Sequence, residues 1–295
     1  MVSIRALKTI TKLDFIFLLT FIVLACETQL IAGAWVKEEG RYYVKLGLSQ
    51  SQEQSYTSPI GGSHFLQKAS ALSLYGEVGL PFSSPLQLIS SLSYKTIERQ
   101  TADGSDTYVN QGLGDTELSL KYPLLLPTHL FESQINALLA LSGGVILPTT
   151  PKNLRAGQEA SRYDEVSINN RQLISSIDRG DVLYLLSIDS SFNWQALWLS
   201  LSEKVSGSAA GTSSYAGNID LGLGLPWHSW IQITWNQHIF IDKPVKTHTT
   251  KTGIGLGFTA VANLAFELAY FNVTTSEQGW EDHSQINLGV SLRSL

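Results

Sequence analysis

The sequence predicts an all-β protein, a transmembrane antiparallel up-and-down β-barrel of about twelve strands. Three observations predict this fold. A targeting segment comes first, apolar residues then alternate with polar or small ones, and the connections between the alternating segments are short and long in turn. The domain boundaries that follow are a signal peptide at residues 1–34 and an outer-membrane β-barrel at residues 35–295.

Residues 1–34 have the organisation of a cleaved signal peptide. Three basic residues within 1–14 precede an almost wholly apolar run at 15–25, as secretory signals do. This run is shorter than the about 20 residues that a membrane-spanning helix needs. Residues 32–34, Ala-Gly-Ala, match the small-x-small cleavage pattern, which places the mature start near Trp35.

The alternative for the N-terminus is a lipoprotein, because Cys26 directly follows residues 23–25, Val-Leu-Ala, in a loose lipobox pattern. Cys26 is the single cysteine of the chain, which excludes an intrachain disulfide and a thiolate metal cluster. No other segment approaches a transmembrane helix in length. A mature protein integral to a membrane must therefore be a barrel.

From Gly40 onward the apolar residues recur with a period of two. Residues 72–80 alternate Leu, Leu, Gly, Val and Leu with Ser, Tyr, Glu and Gly, and residues 285–292 follow the same pattern. Such alternation predicts strands with one apolar face and one polar or small face. The predicted strands lie near 40–50, 66–80, 86–98, 114–123, 133–147, 181–191, 194–205, 214–225, 229–240, 249–260, 262–273 and 282–294.

The predicted connections alternate in length. Short turns on one rim, long loops on the other and an even number of strands are typical of bacterial outer-membrane barrels. With both termini periplasmic, every short turn falls on the periplasmic rim. The short links are 81–85, 125–129, 191–193, 226–228 and 260–262, and the long ones are 51–65, 99–113, 148–180, 206–213, 241–248 and 274–281.

Aromatic residues cluster beside the short turns. Their amphipathic rings favour the headgroup level of a bilayer, although aromatic residues also favour strands in general. The position beside the turns favours an aromatic girdle, made of Phe82, Tyr122, Phe131, Trp194, Trp227, Trp230 and Phe258.

If the alternating apolar residues face lipid, the residues between them line the lumen. A charge on the lipid face costs about 2–4 kcal/mol at the bilayer midplane for Arg or Lys, so ionised groups should be confined to the inside. The predicted pore-lining residues are Lys45, Glu77, Lys95, Glu117, Lys121, Asp189, Lys204, Asp220, Asn236, His238 and Glu267.

The interior has two possible forms. In one, the charges pair across neighbouring strands and fill the barrel, with Glu77 beside Lys45 or Lys95 and Asp220 beside Lys204. In the other, the lumen is narrow and wet. The width favours the second, because about eight strands already enclose just enough space for side chains to fill.

Composition and motifs exclude several functions. A net charge of −5 without a basic cluster argues against nucleic acid. The His-x-Ser pair of barrel phospholipases and the Asp-x-Asp and Asp-x-His pairs of omptin-type proteases do not occur, so we expect no enzyme. His238 and His248 flank one hairpin and could approach one another, but no carboxylate or cysteine joins them at ligand spacing. We expect no metal and no cofactor.

Three Gly-rich segments resemble a family of proteobacterial outer-membrane barrels. They are 33–46, with Gly-Ala-Trp and Gly-Arg-Tyr-Tyr-Val-Lys-Leu, 74–80, with Leu-Tyr-Gly-Glu, and 112–122, with Gly-Leu-Gly-Asp and Lys-Tyr. The pattern is similar to XagA-like proteins and to the channels associated with MetA-type phenol-degradation pathways. The resemblance implies an outer-membrane location and a role in solute passage, and it carries no catalytic residues.

Together these observations predict a passive channel for small solutes, with hydrophobic or aromatic molecules among the candidates. The expected partners are outer-membrane lipid, the solute and the barrel assembly machinery, and the expected oligomeric state is a monomer. The alternative is a structural or adhesin-like surface-interaction barrel that acts through its extracellular loops. A secreted soluble all-β protein is disfavoured, because it does not need an apolar stripe on every strand.

Overall fold

The structure is a computed structural model that describes residues 39–51, 54–57, 64–82, 85–101, 107–130, 135–150, 182–209, 211–242, 245–261, 263–275 and 282–294. The predicted signal peptide, Cys26 and nearly all of the predicted 148–180 loop lie outside these residues. Within them the chain forms strands and turns. They contain no helix that is long and apolar enough to cross a membrane.

The described residues form one 14-stranded antiparallel sheet. In chain order the strands are β1 (Tyr42–Ser51), β2 (Gln54–Thr57), β3 (His64–Gly79), β4 (Gln87–Thr101), β5 (Thr107–Leu113), β6 (Thr116–Leu130), β7 (Ile135–Leu147), β8 (Leu183–Trp194), β9 (Leu197–Gly207), β10 (Ser213–Leu225), β11 (Ser229–Asp242), β12 (Val245–Val261), β13 (Leu264–Thr275) and β14 (His283–Arg293).

The sheet closes on itself. Strand β1 pairs with β14 on one side and with β3 on the other, and β3 pairs with β4. Strand β2 continues the line of β1 along β3, and β5 precedes β6 along β4. The wall therefore has 12 strand positions in an antiparallel, up-and-down order, and the predicted fold class is confirmed.

Large apolar side chains cover the outside of the wall. Leu268 is 49% exposed and Ile233 is 60% exposed, and similar residues lie on the outer face of every long strand. Soluble proteins seldom expose contiguous apolar patches above a few hundred Å². A continuous apolar belt with a closed ladder of backbone hydrogen bonds is the arrangement that suits bilayer hydrocarbon.

Several connections differ from those predicted. Strand β6 continues through the expected 125–129 turn to Leu130, with register irregularities between Pro123 and Leu125 and between Leu125 and Thr128. Proline lacks the N–H that a ladder needs, and a bulge accommodates it without ending the strand. On the opposite rim, strand pairing extends into the predicted long links 99–113 and 241–248. Strand ends beyond the rim pair through their backbones and do not need alternating apolar and polar side chains. The period-two pattern therefore does not detect them.

Two of the short hairpins use left-handed backbone conformations. Gln195 has a φ of 51°, while Trp227 and His228 have φ values of 59° and 56°. The Ser229 hydroxyl donates to the carbonyl oxygen of Pro226 at 2.6 Å and holds the second turn closed. Positive φ values match the right-handed twist of the flanking strands, so these turns stay tight although they lack glycine.

Candidate functional site: the inward face of the barrel

Three ion pairs identify the inner face of the wall. Lys45 on β1 pairs with Glu267 on β13 across β14, and Lys204 on β9 pairs with Glu117 on β6 across two strands. The Lys121 Nζ on β6 lies 3.3 Å from the Asp189 Oδ2 on β8, across β7. Side chains of strands that are not adjacent can meet only over the concave side of the wall, so these six residues point inward.

The register places the other predicted pore-lining residues on the same face. Successive residues of a strand alternate sides, and directly paired residues share a side. Glu77 is paired with Tyr43, and Asn236 is paired with Lys251. The remaining positions are Lys95 paired with Ala71, Asp220 paired with Ser200, and His238 paired with Ala216.

The charged residues have partners other than the ones expected from sequence. Lys45 and Lys204 form ion pairs with Glu267 and Glu117, and not with Glu77 and Asp220. Glu77 accepts a hydrogen bond from the Tyr75 hydroxyl. Alternation fixes the face of a residue, but the tilt of the strands decides which residues of distant strands share one height.

The carboxylate of Asp220 is held by neutral donors. The Asn218 amide donates to Oδ2 at 2.5 Å, and the Thr234 hydroxyl donates to Oδ1 at 2.6 Å. Asp220 also interacts electrostatically with Lys45 on β1 and with Glu267 on β13. This carboxylate is therefore part of a charge network that spans the interior.

We call this network the charged belt. Tyr75 connects its two sides, because it interacts with Glu77 on its own strand and with Asp189 on β8. The belt contains two lysines and four carboxylates, so acids outnumber bases. Its members are Lys45, Glu77, Lys121, Asp189, Asp220 and Glu267.

Glycines make room for the side chains that cross the interior. A Cβ added to Gly289 on β14 would lie 3.1 Å from the Lys45 Cε and 3.5 Å from the Glu267 Oε2. The ion pair passes directly over this position. Any larger residue at 289 would push the pair away from the wall.

Aromatic rings lie flat over other inward glycines. A Cβ on Gly257 would overlap the ring of Trp230, and one on Gly222 would overlap the ring of Trp198. Trp230 was predicted to belong to the aromatic girdle, and this prediction is wrong, since the residue is only 7% exposed and lies inside. The sequence signal that could have located it is the inward Gly257 directly opposite.

The rest of the girdle prediction concerns the outer face and the turns. Its described members are exposed, as expected for rings at a headgroup level. Phe131 lies outside the described residues. The exposed members are Phe82, Tyr122, Trp194, Trp227 and Phe258.

A cavity of about 180 Å³ lies on the inner face between β11 and β3. Lys45 and Glu267 of the predicted pore-lining residues belong to it, and the alternation of the sequence also places Gln232 and Asn287 on the luminal face. The sequence did not indicate it, because its shape depends on small residues from several strands meeting at one height. The lining residues are Lys45, Gly47, Leu48, Ser49, Ser73, Gln232, Glu267, Ala269, Phe271, Asn287, Leu288 and Gly289.

The two histidines that flank one hairpin lie on opposite faces of the wall. His238 is paired with Thr249, while the neighbouring residue Ile239 is paired with His248. The His248 Nε2 lies 2.9 Å from the Gln237 amide nitrogen on the outer face. In the described part of the chain, no three His, Cys, Asp or Glu residues are placed to hold a metal ion.

The fold is that of the outer-membrane β-barrels. No family model matches the sequence, and no curated protein matches it. Among solved structures, the COG4313 outer membrane channel from Pseudomonas putida F1 aligns with a TM-score of 0.58 at 10% identity, covering 90% of this chain and 100% of that one. The KdgM porin aligns over 85% of this chain and 99% of its own with a TM-score of 0.40, at 10% identity.

Proposed function

We propose that this chain is an outer-membrane channel through which small solutes pass passively. The observation that carries the proposal is the charged belt inside a closed barrel of 12 strand positions. Ionised groups are costly in a dry interior and stay charged when water reaches them. A barrel with two partly exposed ion pairs inside and leucine outside is organised around a wet lumen.

The proposal includes the route to the membrane. We expect the chain to be cleaved after residue 34 and then inserted by the barrel assembly machinery. It should reside in the outer membrane as a monomer. Supporting this route, the apolar outer face has no place in an aqueous periplasm. The folded protein should require detergent for extraction and should migrate faster unheated than boiled on a denaturing gel. Recovery in the soluble periplasmic fraction would contradict it.

The direct test is conductance in planar lipid bilayers. Purified, heat-modifiable protein should insert and produce discrete current steps in KCl. The excess of carboxylates in the charged belt is offset along the lumen by the inward Lys95, Lys204 and Lys251, so the reversal potential in a salt gradient should show only a weak preference between cations and anions. A folded protein that never conducts would overturn the channel proposal.

Selectivity can be assigned to the belt with matched variants. The double variant Glu77→Gln and Asp220→Asn removes two inward negative charges and keeps side chains of similar shape. It should shift the reversal potential toward a preference for anions. Glu203 lies on the outer face, paired with Ile188 and Gly217, so Glu203→Gln should leave selectivity unchanged. Equal effects of the inward and outward variants would show that the belt does not line the ion path.

The polar lining favours polar solutes over the hydrophobic or aromatic ones that the family resemblance suggested. A hydrophobic molecule that filled the lumen would remove water from the charged belt, and this desolvation costs several kcal/mol per ion. A polar molecule replaces water at the same groups. Liposome swelling with sugars and with phenol separates the two classes, and faster entry of phenol by the protein-dependent route would contradict this preference.

A further inference from the structure

We propose that the 180 Å³ cavity is a binding site for one neutral, polyhydroxylated ring, a single sugar unit in chemical class. The inference rests on the proposed channel function and names a solute class for it. Four features of the lining carry the argument: volume, charge balance, hydrogen-bonding groups and an apolar patch.

The volume suits a small molecule of one ring. The cavity of about 180 Å³ is far larger than the roughly 10–15 Å³ that one water molecule requires, so it admits a small molecule with one ring. A second ring would have to extend out of the cavity into the lumen. The site therefore fits one sugar unit at a time.

The charges of the lining cancel. Lys45 and Glu267 are the ionised groups that line the cavity, and they pair with each other. A charged ligand would compete with this pair and leave one partner uncompensated. Their side chains remain 36% and 26% exposed, so the ammonium group has further protons to donate and the carboxylate has further lone pairs to accept.

The neutral polar residues supply both donors and acceptors. The Gln285 amide donates to the Asn287 Oδ1 at 2.7 Å, which leaves the Asn287 amide NH₂ as a donor. The Gln232 amide donates to the Thr234 hydroxyl at 3.3 Å, which leaves the Gln232 carbonyl oxygen as an acceptor. The Ser49 hydroxyl can do both, and the Ser73 hydroxyl, which donates to the Gly47 carbonyl oxygen at 3.3 Å, keeps its lone pairs as acceptors. Each hydroxyl of a sugar both donates and accepts, so its vicinal hydroxyls suit a lining that offers donors and acceptors side by side.

The floor of the cavity has an apolar patch made of Ala269 and Phe271, whose ring lies against Gly253. The two glycines of the lining lie beneath polar side chains, Gly47 under the Ser73 hydroxyl and Gly289 under the Lys45–Glu267 pair. A pyranose has C–H groups on its faces and hydroxyls around its rim. Its face can therefore pack on Phe271 and Ala269 while its rim meets the polar groups.

The test is equilibrium binding of D-glucose to the purified full chain in detergent, measured by saturation-transfer NMR. Ala269→Leu fills the cavity and should weaken binding about tenfold, which is about 1.4 kcal/mol. Gln232→Ala should weaken it in the same direction. The control is Ala216→Leu, an inward alanine on β10 outside the cavity, which should change binding by less than about twofold. Heat-modifiable mobility confirms that each variant is folded.

Phenol serves as a second probe of one ring without the hydroxyl rim. Glucose binding that Ala269→Leu abolishes and Ala216→Leu leaves intact supports the site. Absence of glucose binding in a protein that conducts overturns the site and leaves the channel proposal standing. Glucose binding that depends on Ala269 in a protein that never conducts overturns the channel and keeps the site. Phenol binding that displaces glucose overturns the assignment of ligand class.

Discussion

The two halves of the barrel interior differ in how they are filled. On β7 and β8 the inward residues Leu138, Leu183 and Leu185 are buried, and we call the interior of β6–β9 the packed half. The strands β11–β14, β1 and β3 form the open half, where inward positions hold glycines such as Gly255 and Gly289 and the cavity lies. Strand number alone does not make a barrel hollow, because the size of the inward residues decides it locally.

One ion pair of the packed half is far more buried than the pair of the open half. Lys121 and Asp189 are 3% and 14% exposed, whereas Lys45 and Glu267 are 36% and 26% exposed. The second pair of the packed half, Lys204 with Glu117, is 31% and 23% exposed and resembles the open pair. The two ion pairs of this comparison therefore have the same chemical groups but differ in how far water reaches them. A pair sealed from solvent depends on its partner far more strongly than a pair that water can reach.

The largest expected effect follows from this contrast. Asp189→Ala leaves Lys121 buried without its carboxylate, and we expect a loss of about 3–5 kcal/mol in the free energy of unfolding. Glu267→Ala leaves Lys45 in contact with water, so its loss should be about 1 kcal/mol or less. Urea unfolding in lipid vesicles, followed by tryptophan fluorescence, measures both.

A double variant serves as the control for this pair. In Lys121→Met with Asp189→Ala the buried charge is gone, so most of the lost stability should return. If the single variants Asp189→Ala and Glu267→Ala were equally destabilising, the two ion pairs would not differ in solvent access. The contrast between a sealed pair and a solvated pair would then be wrong.

The second test places a cation on each face. Leu268→Arg moves a charge into the outer apolar belt at a cost of about 2–4 kcal/mol, and Leu186→Arg does the same over the packed half. Inside the open half, Ala269→Arg can reach water beside the cavity and should fold normally. Inside the packed half, Leu185→Arg should fail like the outward variants, because Leu185 is buried. The folding yield into lipid vesicles, measured for all four arginine variants, distinguishes them.

Tolerance of arginine at both 185 and 269 would show that the whole lumen is wet. Failure at both would show that the open half is as closed as the packed half. Either result removes the distinction between the halves, and the second would also weaken the channel proposal.

The sequence predicted the side of the wall that each charged pore-lining residue takes, because period two is a property of every strand, but it placed Trp230 on the wrong side. It placed Lys95 and His238, on strands far apart in the chain, on the inward side where the register puts them. It did not predict partners such as Lys204 with Glu117, because an ion pair across two strands depends on barrel tilt and curvature. The cavity depends on the same geometry and was missed for that reason.

One signal of the open half was present in the sequence. Residues 253, 255 and 257 are inward glycines on one strand, and a missing side chain at successive inward positions leaves space unless a neighbour fills it. The neighbours Phe271, Gln232 and Trp230 reach over these glycines. Reading inward residues for size as well as polarity would have located Trp230, whose ring covers Gly257, but not the cavity, which these glycines do not line.

The third prediction concerns these glycines and has an expected cost of about 1–3 kcal/mol. Gly257→Ala and Gly222→Ala place a methyl group against the rings of Trp230 and Trp198, so each should lower the free energy of unfolding. Gly143 is the matched control, because a Cβ there meets nothing within 4 Å. Gly143→Ala should be neutral or slightly stabilising, since alanine restricts the unfolded chain. Equal costs at all three positions would show that the rings do not lie over the glycines.

The smallest expected effect lies on the outside of the packed half. Glu203 is an exposed carboxylate on the outer face of β9, between Ile188 and Gly217 in the register. An acidic group on this apolar face opposes insertion, although less than a lysine or arginine does. Glu203→Leu should therefore raise the free energy of unfolding in vesicles by about 1 kcal/mol. Val205→Leu, two residues further along the same face, controls for added apolar area and should change it less. A loss of stability in Glu203→Leu would show that this carboxylate has a stabilising partner at the outer surface, and that the outer face of the packed half is not simply in contact with lipid.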